Sequence, residues 1–337
     1  MTSPVYVLVS IDTEEDNWRP ARQGITVENI RELPRLSRFL EQLGVRPTYF
    51  VTYQVARQRW AATLLADLVA SGEAEIGAHL HPWNTPPLTE AFEARNTMTM
   101  RLSPELQASK IASLTDTLTE HVGIRPESFR TGRWGFGPET AAALIACGYR
   151  ADSSVTPFKS WRLYDDGPTF VGAPLHAFRI DGRGDARVPV PDGPLAEVPV
   201  SWAHNRTVRP LWNRLFALLN GPLAVRFRIP IIASRLHLMR EIALAPELFS
   251  LSDMLTLSRH LVEGGLRHLH LFWHSPTMQP GLTPFTKTSA DVERLYGTIE
   301  AYLDKLTSFA TPMFVTVGTG ARALSGLEVG DGAGRGV

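Results

Sequence analysis

The sequence predicts an α/β protein, a distorted (β/α)7–8 barrel with a helical insertion at about 205–245, and three observations carry that prediction. Short β-rich runs alternate with helical patterns, which implies a parallel sheet with helices outside it. Seven or eight such runs favour a closed or nearly closed barrel over an open sheet. The length of 337 residues is long for an ordinary domain but normal for one barrel with insertions. Residues 1–325 are therefore read as one domain, and the glycine-rich 326–337 as a disordered tail.

The apolar stretch 5–11 reads as a buried strand. Residues 26–43 read as a helix whose inner face is Ile30, Leu33, Leu36, Phe39, Leu40 and Leu43, stopped by Gly44. Pro34 lies inside it and predicts a kink. A strand follows at 48–52, a helix around 61–70 and a strand at 74–79. Ser103-Pro104-Glu105 is a strong helix start, with proline at the first helical position and an acid in the first turn. Further strands are predicted at 128–130, 149–154, 196–200, 268–273 and 313–317, and no internal repeat is seen.

Composition sets limits on partners. Hydrophobic residues are 44% of the chain, enough for a sizeable core, and the formal net charge is zero. No bulk field draws in nucleic acid or acidic polymers. The single cysteine, Cys147, reads as a buried thiol within a helical run. The first strand lacks the basic start and the length of a signal peptide, and no apolar run reaches the ~18 residues of a membrane span, so the expected compartment is the cytoplasm.

Polar clusters follow several strands, at the carboxyl ends where barrel active sites are built. They are Asp12-Thr13-Glu14-Glu15-Asp16, His79-Leu80-His81-Pro82-Trp83, Arg130-Thr131-Gly132-Arg133-Trp134 and His274-Ser275. Each alone has a bland reading as a solvated loop, an ion pair or a core histidine. Together at four strand ends they suggest metal-assisted hydrolysis. Imidazole nitrogens and carboxylate oxygens suit zinc or another borderline divalent ion. In an extended segment, residues two apart point the same way, so His79 and His81 can reach one ion. A carboxylate off the metal can act as base, and a separate histidine can protonate a leaving amine.

With these motifs the sequence resembles the polysaccharide deacetylases, carbohydrate esterase family 4, over roughly residues 5–317. The resemblance implies Asp12 as general base and Glu14 as metal ligand, with Thr13 where the commoner second aspartate stands and Asp16 as a reserve carboxylate. Glu75-Ile76-Gly77-Ala78-His79 is similar to the family's second motif. The second histidine is displaced, since Trp83 occupies its usual place and His81 is the substitute. By the same likeness, Arg130 pairs with the base, Asp152 orients the catalytic histidine, and His274 is the general acid. Trp83, Arg133, Trp134 and Trp273 become substrate-binding candidates. The implied function is removal of an N-acyl group from an amino sugar or glycan precursor with a divalent metal, zinc by preference. Two alternatives stand beside it: a metal-independent amidohydrolase of cyclic imides or ureides, and a catalytically silent carbohydrate-binding relative.

Between Asn205 and Arg240 the chain carries seven arginines and no Lys, Asp or Glu. Interleaved with aromatic and aliphatic residues, they suit a lid over an anionic ligand, peripheral contact with a membrane through 205–240, or a packing subdomain.

Overall fold

The computed structural model describes residues 4–72, 74–207, 210–219, 221, 224, 227 and 240–326. The tail at 327–337 and most of the arginine-rich stretch, including Arg226, Arg228 and Arg235, lie outside the described residues.

The sheet is organised around one long strand. β1 (Pro4–Thr13) is buried along almost its whole length, which its run of Val, Leu and Ile makes favourable. It pairs in parallel with β10 (His268–His274) from Tyr6 to Asp12. Its other edge is shared, β11 (Thr311–Val315) taking Pro4–Leu8 and β2 (Thr48–Val51) taking Ser10–Thr13. The sheet continues through β3 (Glu75–Leu80), β4 (Ser128–Thr131), β5 (Ala151–Asp152) and β7 (Leu195–Glu197), all parallel. β6 (Phe178–Ile180) closes that edge antiparallel to β7.

A separate antiparallel pair, β8 (Trp202–His204) and β9 (Glu241–Ala243), bridges the remaining gap. Val198 N–H donates to Asp152 O at 2.8 Å, Ser201 N–H to His270 O at 3.2 Å, and Phe272 N–H to Leu244 O at 3.0 Å. Residues 198–201 thus carry the chain from β5 across to β10, and the barrel closes through irregular bonds in place of an eighth regular strand.

Among the described residues the helices are α1 (Leu33–Gln42), α2 (Tyr53–Ala56), α3 (Arg59–Ala70), α4 (Pro104–His121), α5 (Pro138–Cys147), α6 (Pro210–Leu219), α7 (Leu251–Glu263), α8 (Ser289–Leu306) and α9 (Val317–Ser325). Ser103 caps α4 by accepting from Leu106 N–H, as its sequence signature predicts. Pro34 does not kink a helix. A 3-10 turn, Glu28–Glu32, precedes it and α1 starts at Leu33, so the proline sits in the first turn, where its missing N–H has no partner to lose. The strands β6, β8 and β9 were not predicted; at three residues each they are too short to display a period. Among the described residues no helix is long and apolar enough to cross a membrane.

Candidate active site

The polar clusters predicted from sequence meet at the carboxyl ends of β1, β3, β4 and β10. Parallel register explains why: Asp12 lies opposite both Phe50 and His274, and His79 opposite Arg130. Asp12, Glu14, His79 and His81 are all buried to 7% exposure or less. A cavity of about 900 Å3 opens above them, lined also by Trp83, Arg133, Trp134 and His274.

Each histidine has one nitrogen committed. His79 Nδ1 lies 3.1 Å from Arg130 O, and since a carbonyl only accepts, Nδ1 carries the proton and Nε2 is left to the site. His81 Nδ1 lies 2.8 Å from Glu15 Oε1, a carboxylate that also accepts from Asn84 Nδ2 at 2.6 Å. Both Nε2 atoms turn to one oxygen, Glu14 Oε2, at 3.7 Å from His79 and 3.1 Å from His81. Glu14, His79 and His81 each offer a ligand atom within 4.8 Å of the others. A backbone carbonyl and a carboxylate behind two imidazoles are the supports that fix metal-binding histidines.

The electrostatics fit a cation at that point. Burial alone would push the His81 imidazole down, but Glu15 and Glu14 outweigh it and carry it up to about 10. Burial pushes the Glu14 carboxyl up, and the charges and hydrogen bonds of His274, His79 and His81 pull it far below the usual range. The pocket is thus built to hold positive charge between the rings and Glu14, and the donor set of two imidazole nitrogens and one carboxylate oxygen suits a divalent metal.

Asp12 and His274 flank this group. Asp12 Oδ1 accepts from Arg130 Nη1 at 2.7 Å, while Oδ2 lies 3.9 Å from both His79 Nε2 and His274 Nε2. Burial acts to raise the Asp12 carboxyl, but Arg130, His79 and His274 outweigh it and hold it below its ordinary value. Arg130 is fully buried and fixed further by Ser153, through Nε to its carbonyl at 2.9 Å and Nη2 to its hydroxyl at 3.0 Å.

Sequence reasoning missed the partner of His274. Its Nδ1 lies 2.6 Å from Glu247 Oε1, and the other Glu247 oxygen accepts from Thr277 Oγ1 at 2.7 Å. Burial would lower this imidazole, yet Glu247 and Glu14 raise it to about 10. Glu247 stands after β9, with no motif around it to mark it.

Three expectations are corrected. Asp152 does not touch His274; its carboxylate accepts from Ser154 N–H at 3.0 Å and Ser154 Oγ at 2.9 Å, and it faces Glu197 in register on β7. Trp273 is fully buried in the core and does not line the cavity, because side chains alternate along β10 and its neighbours Phe272 and His274 take the site face. Asp16 is no reserve ligand, since its oxygens accept from Glu28 N–H, Asn29 N–H and Asn29 Nδ2. Arg133, in left-handed backbone at φ 53°, lines the cavity and is paired with Asp165 at 2.7 Å.

The Asp152–Glu197 pair has its own consequence. Burial raises both carboxyls, and for Glu197 the neighbouring Asp152 adds to it. A folded-state pKa above the unfolded one contributes stability that is full at low pH and lost as pH rises through the raised value. Wild type should therefore lose stability relative to Glu197→Gln as pH rises from the ordinary carboxyl range through the raised one. Parallel urea midpoints for the two proteins across that window would exclude a shared proton.

The loop beyond His81 is held from below. Lys110, fully buried on α4, donates through Nζ to Pro82 O at 2.8 Å, Thr85 O at 2.7 Å and Pro87 O at 2.7 Å. Arg22 Nε donates to Trp83 O at 2.8 Å, and Trp83 stacks on His81 with centroids 4.1 Å apart. Gly132 also packs closely against His81; a Cβ there would lie 2.5 Å from its Cδ2.

No protein-family model matches the chain, and no curated protein matches it in sequence. Solved structures show its fold. A candidate polysaccharide deacetylase from Mycobacterium smegmatis aligns with 16% identity and TM-score 0.53 over 96% of this chain and 95% of its own. A candidate glycoside hydrolase/deacetylase from Parabacteroides distasonis gives 11% and 0.57 over 95% of this chain and 71% of its own. A 4-alpha-glucanotransferase from Thermococcus litoralis gives 11% and 0.51 over 95% of this chain but 40% of its own. The chain therefore has the barrel fold that the sequence predicts, a fold that also carries other chemistry.

Proposed function

We propose that the chain is a metal-dependent hydrolase that removes an N-acyl group from an amino sugar or glycan precursor. Since fold does not decide chemistry, the reading rests on the site. One observation carries it: two imidazoles with Nδ1 committed aim Nε2 at the same carboxylate oxygen, between a fixed Asp12 and a fixed His274.

Glu14, His79 and His81 would hold the ion, zinc by the nature of the donors, and when bound it would polarise the scissile carbonyl and make water more acidic. The residues do the rest. Asp12 is ionised and keeps Oδ2 free of Arg130, so it can take the proton of the attacking water. His274 is protonated and can give its proton to the departing nitrogen through Nε2, while Glu247 holds the ring from behind. The amide C–N bond breaks, hydroxide oxygen joins the acyl carbon, and the nitrogen leaves as an amine. Opposite shifts on two neighbouring groups divide the base from the acid.

The metal-independent amidohydrolase is the weaker reading, since it leaves the convergence of the two imidazoles on Glu14 without a role. Treating the protein with a chelator, then restoring zinc, separates the two. Acetate release from N-acetylglucosamine oligomers should fall to background and return. Turnover that survives complete metal removal would sink the metal-dependent reading.

A further inference from the structure

Four aromatic rings form a closed circuit on the wall of the cavity. Trp134 stacks with Trp161 at 6.2 Å and 16°, and Trp161 meets Trp202 edge-on at 5.7 Å. Trp202 stacks with Phe272 at 6.2 Å and 21°, and Phe272 meets Trp134 edge-on at 5.2 Å. All four line the space above Asp12 and His274. The wall is deep: Trp134 is 9% exposed, Trp202 5% and Phe272 1%. It also offers little to hydroxyl groups. Trp161 Nε1 is spent on Thr156 Oγ1 at 2.8 Å, and Trp202 Nε1 is buried from solvent and has no hydrogen-bond partner among the described residues.

The position of the acid divides the cavity. The leaving nitrogen must come within reach of His274, whose ring is met edge-on by Trp18 at 5.2 Å. Trp18 is 38% exposed and lines the same cavity. With its bulky amine fragment toward solvent on the side of the exposed Trp18, a substrate would turn its acyl group toward the four buried rings. An acetyl methyl would occupy a small corner of a cavity of about 900 Å3.

Resting on the deacylase reading above, we propose that the four-ring wall is an acyl subsite, and that the substrate carries an acyl group larger than acetyl, a medium aliphatic or aromatic one. Such a wall binds methylenes and flat rings by burial and leaves no buried hydroxyl without a partner.

Two measurements test it. In the first, kcat/KM is compared for N-acetyl-, N-hexanoyl- and N-benzoylglucosamine. Each methylene buried is worth about fourfold, so hexanoyl should exceed acetyl by about tenfold or more. Trp202→Ala should reduce the hexanoyl-to-acetyl ratio about fivefold or more, and Trp202→Phe should restore most of it. Equal or higher turnover of the acetyl compound overturns the acyl subsite while leaving the deacylase intact. In the second, calorimetry follows hexanamide and acetamide binding to metal-loaded and chelator-treated protein. Hexanamide should bind about tenfold tighter or better, with a negative heat-capacity change. If no amide turns over, the deacylase reading fails, and the amide binding alone decides the subsite. Equal binding of the two amides overturns it, as does an N-acetylchitotriose affinity that falls in Trp202→Ala while hexanamide affinity does not.

Discussion

Changing His79 and His81 together to alanine should strip a divalent ion from the protein and bring hydrolysis to background. The two rings supply two of the three converging donors, which leaves Glu14 as the single remaining ligand of the group. Glu15 is committed to His81 and Asn84, and Asp16 to Asn29. Among the described residues no second group of three such donors lies close enough together to take over the ion. Metal content by elemental analysis reads the result directly, and near-ultraviolet circular dichroism checks that the barrel survives. Stoichiometric metal in the folded double mutant would remove the assignment.

Replacing Asp12 with asparagine should leave the ion in place and lower kcat by about 10²–10⁴, the usual loss for a general base. Asparagine keeps an oxygen to accept the 2.7 Å bond that Arg130 Nη1 donates, but has no charge with which to take a proton. Alanine is the wrong probe, because removing one partner of a buried ion pair costs about 3–5 kcal/mol and confuses folding with chemistry. The matched change, His274→Ala, should abolish the alkaline limb of the pH–rate profile, since an acid carried up to about 10 sets that limb. Loss of metal in Asp12→Asn would make Asp12 a ligand; an unchanged alkaline limb in His274→Ala would point to another acid.

The parts of the site that lie on regular strands were legible in the sequence. Asp12, His79, Arg130 and His274 each stand at or one residue before the end of a strand, and parallel pairing then brings four strand ends together. What failed was legible only in part. Trp273 next to His274 could have been excluded by the two-residue period of β10, because adjacent positions cannot share a face. Asp152 and Asp16 are acids beside a motif, and only tertiary contacts show their oxygens spent on Ser154 and on Asn29. Glu247 had no signal at all. It comes from an irregular segment after a three-residue strand, and proximity in space, across 27 residues of chain, is what makes it a partner of His274. The closure of the barrel at residues 198–201 was hidden for the same reason, since bonds made outside a regular ladder leave no periodic trace.

The chain uses thirty arginines and four lysines, and it spends one of those four where no solvent reaches. At Lys110 the preference for lysine has a geometric cause. Three carbonyl oxygens approach one nitrogen, with the Glu90 carboxylate farther out at 3.2 Å, and an ammonium points its three N–H bonds along a cone, whereas a guanidinium spreads its donors in a plane. The side chain behaves as a tethered monovalent ion, delivered by the fold and never lost to dilution. The loop that lays Trp83 flat on His81 is thereby ordered by the polypeptide alone. One arm of the metal site is shaped in advance, and the entropy of arranging it is settled during folding, before any ligand is met.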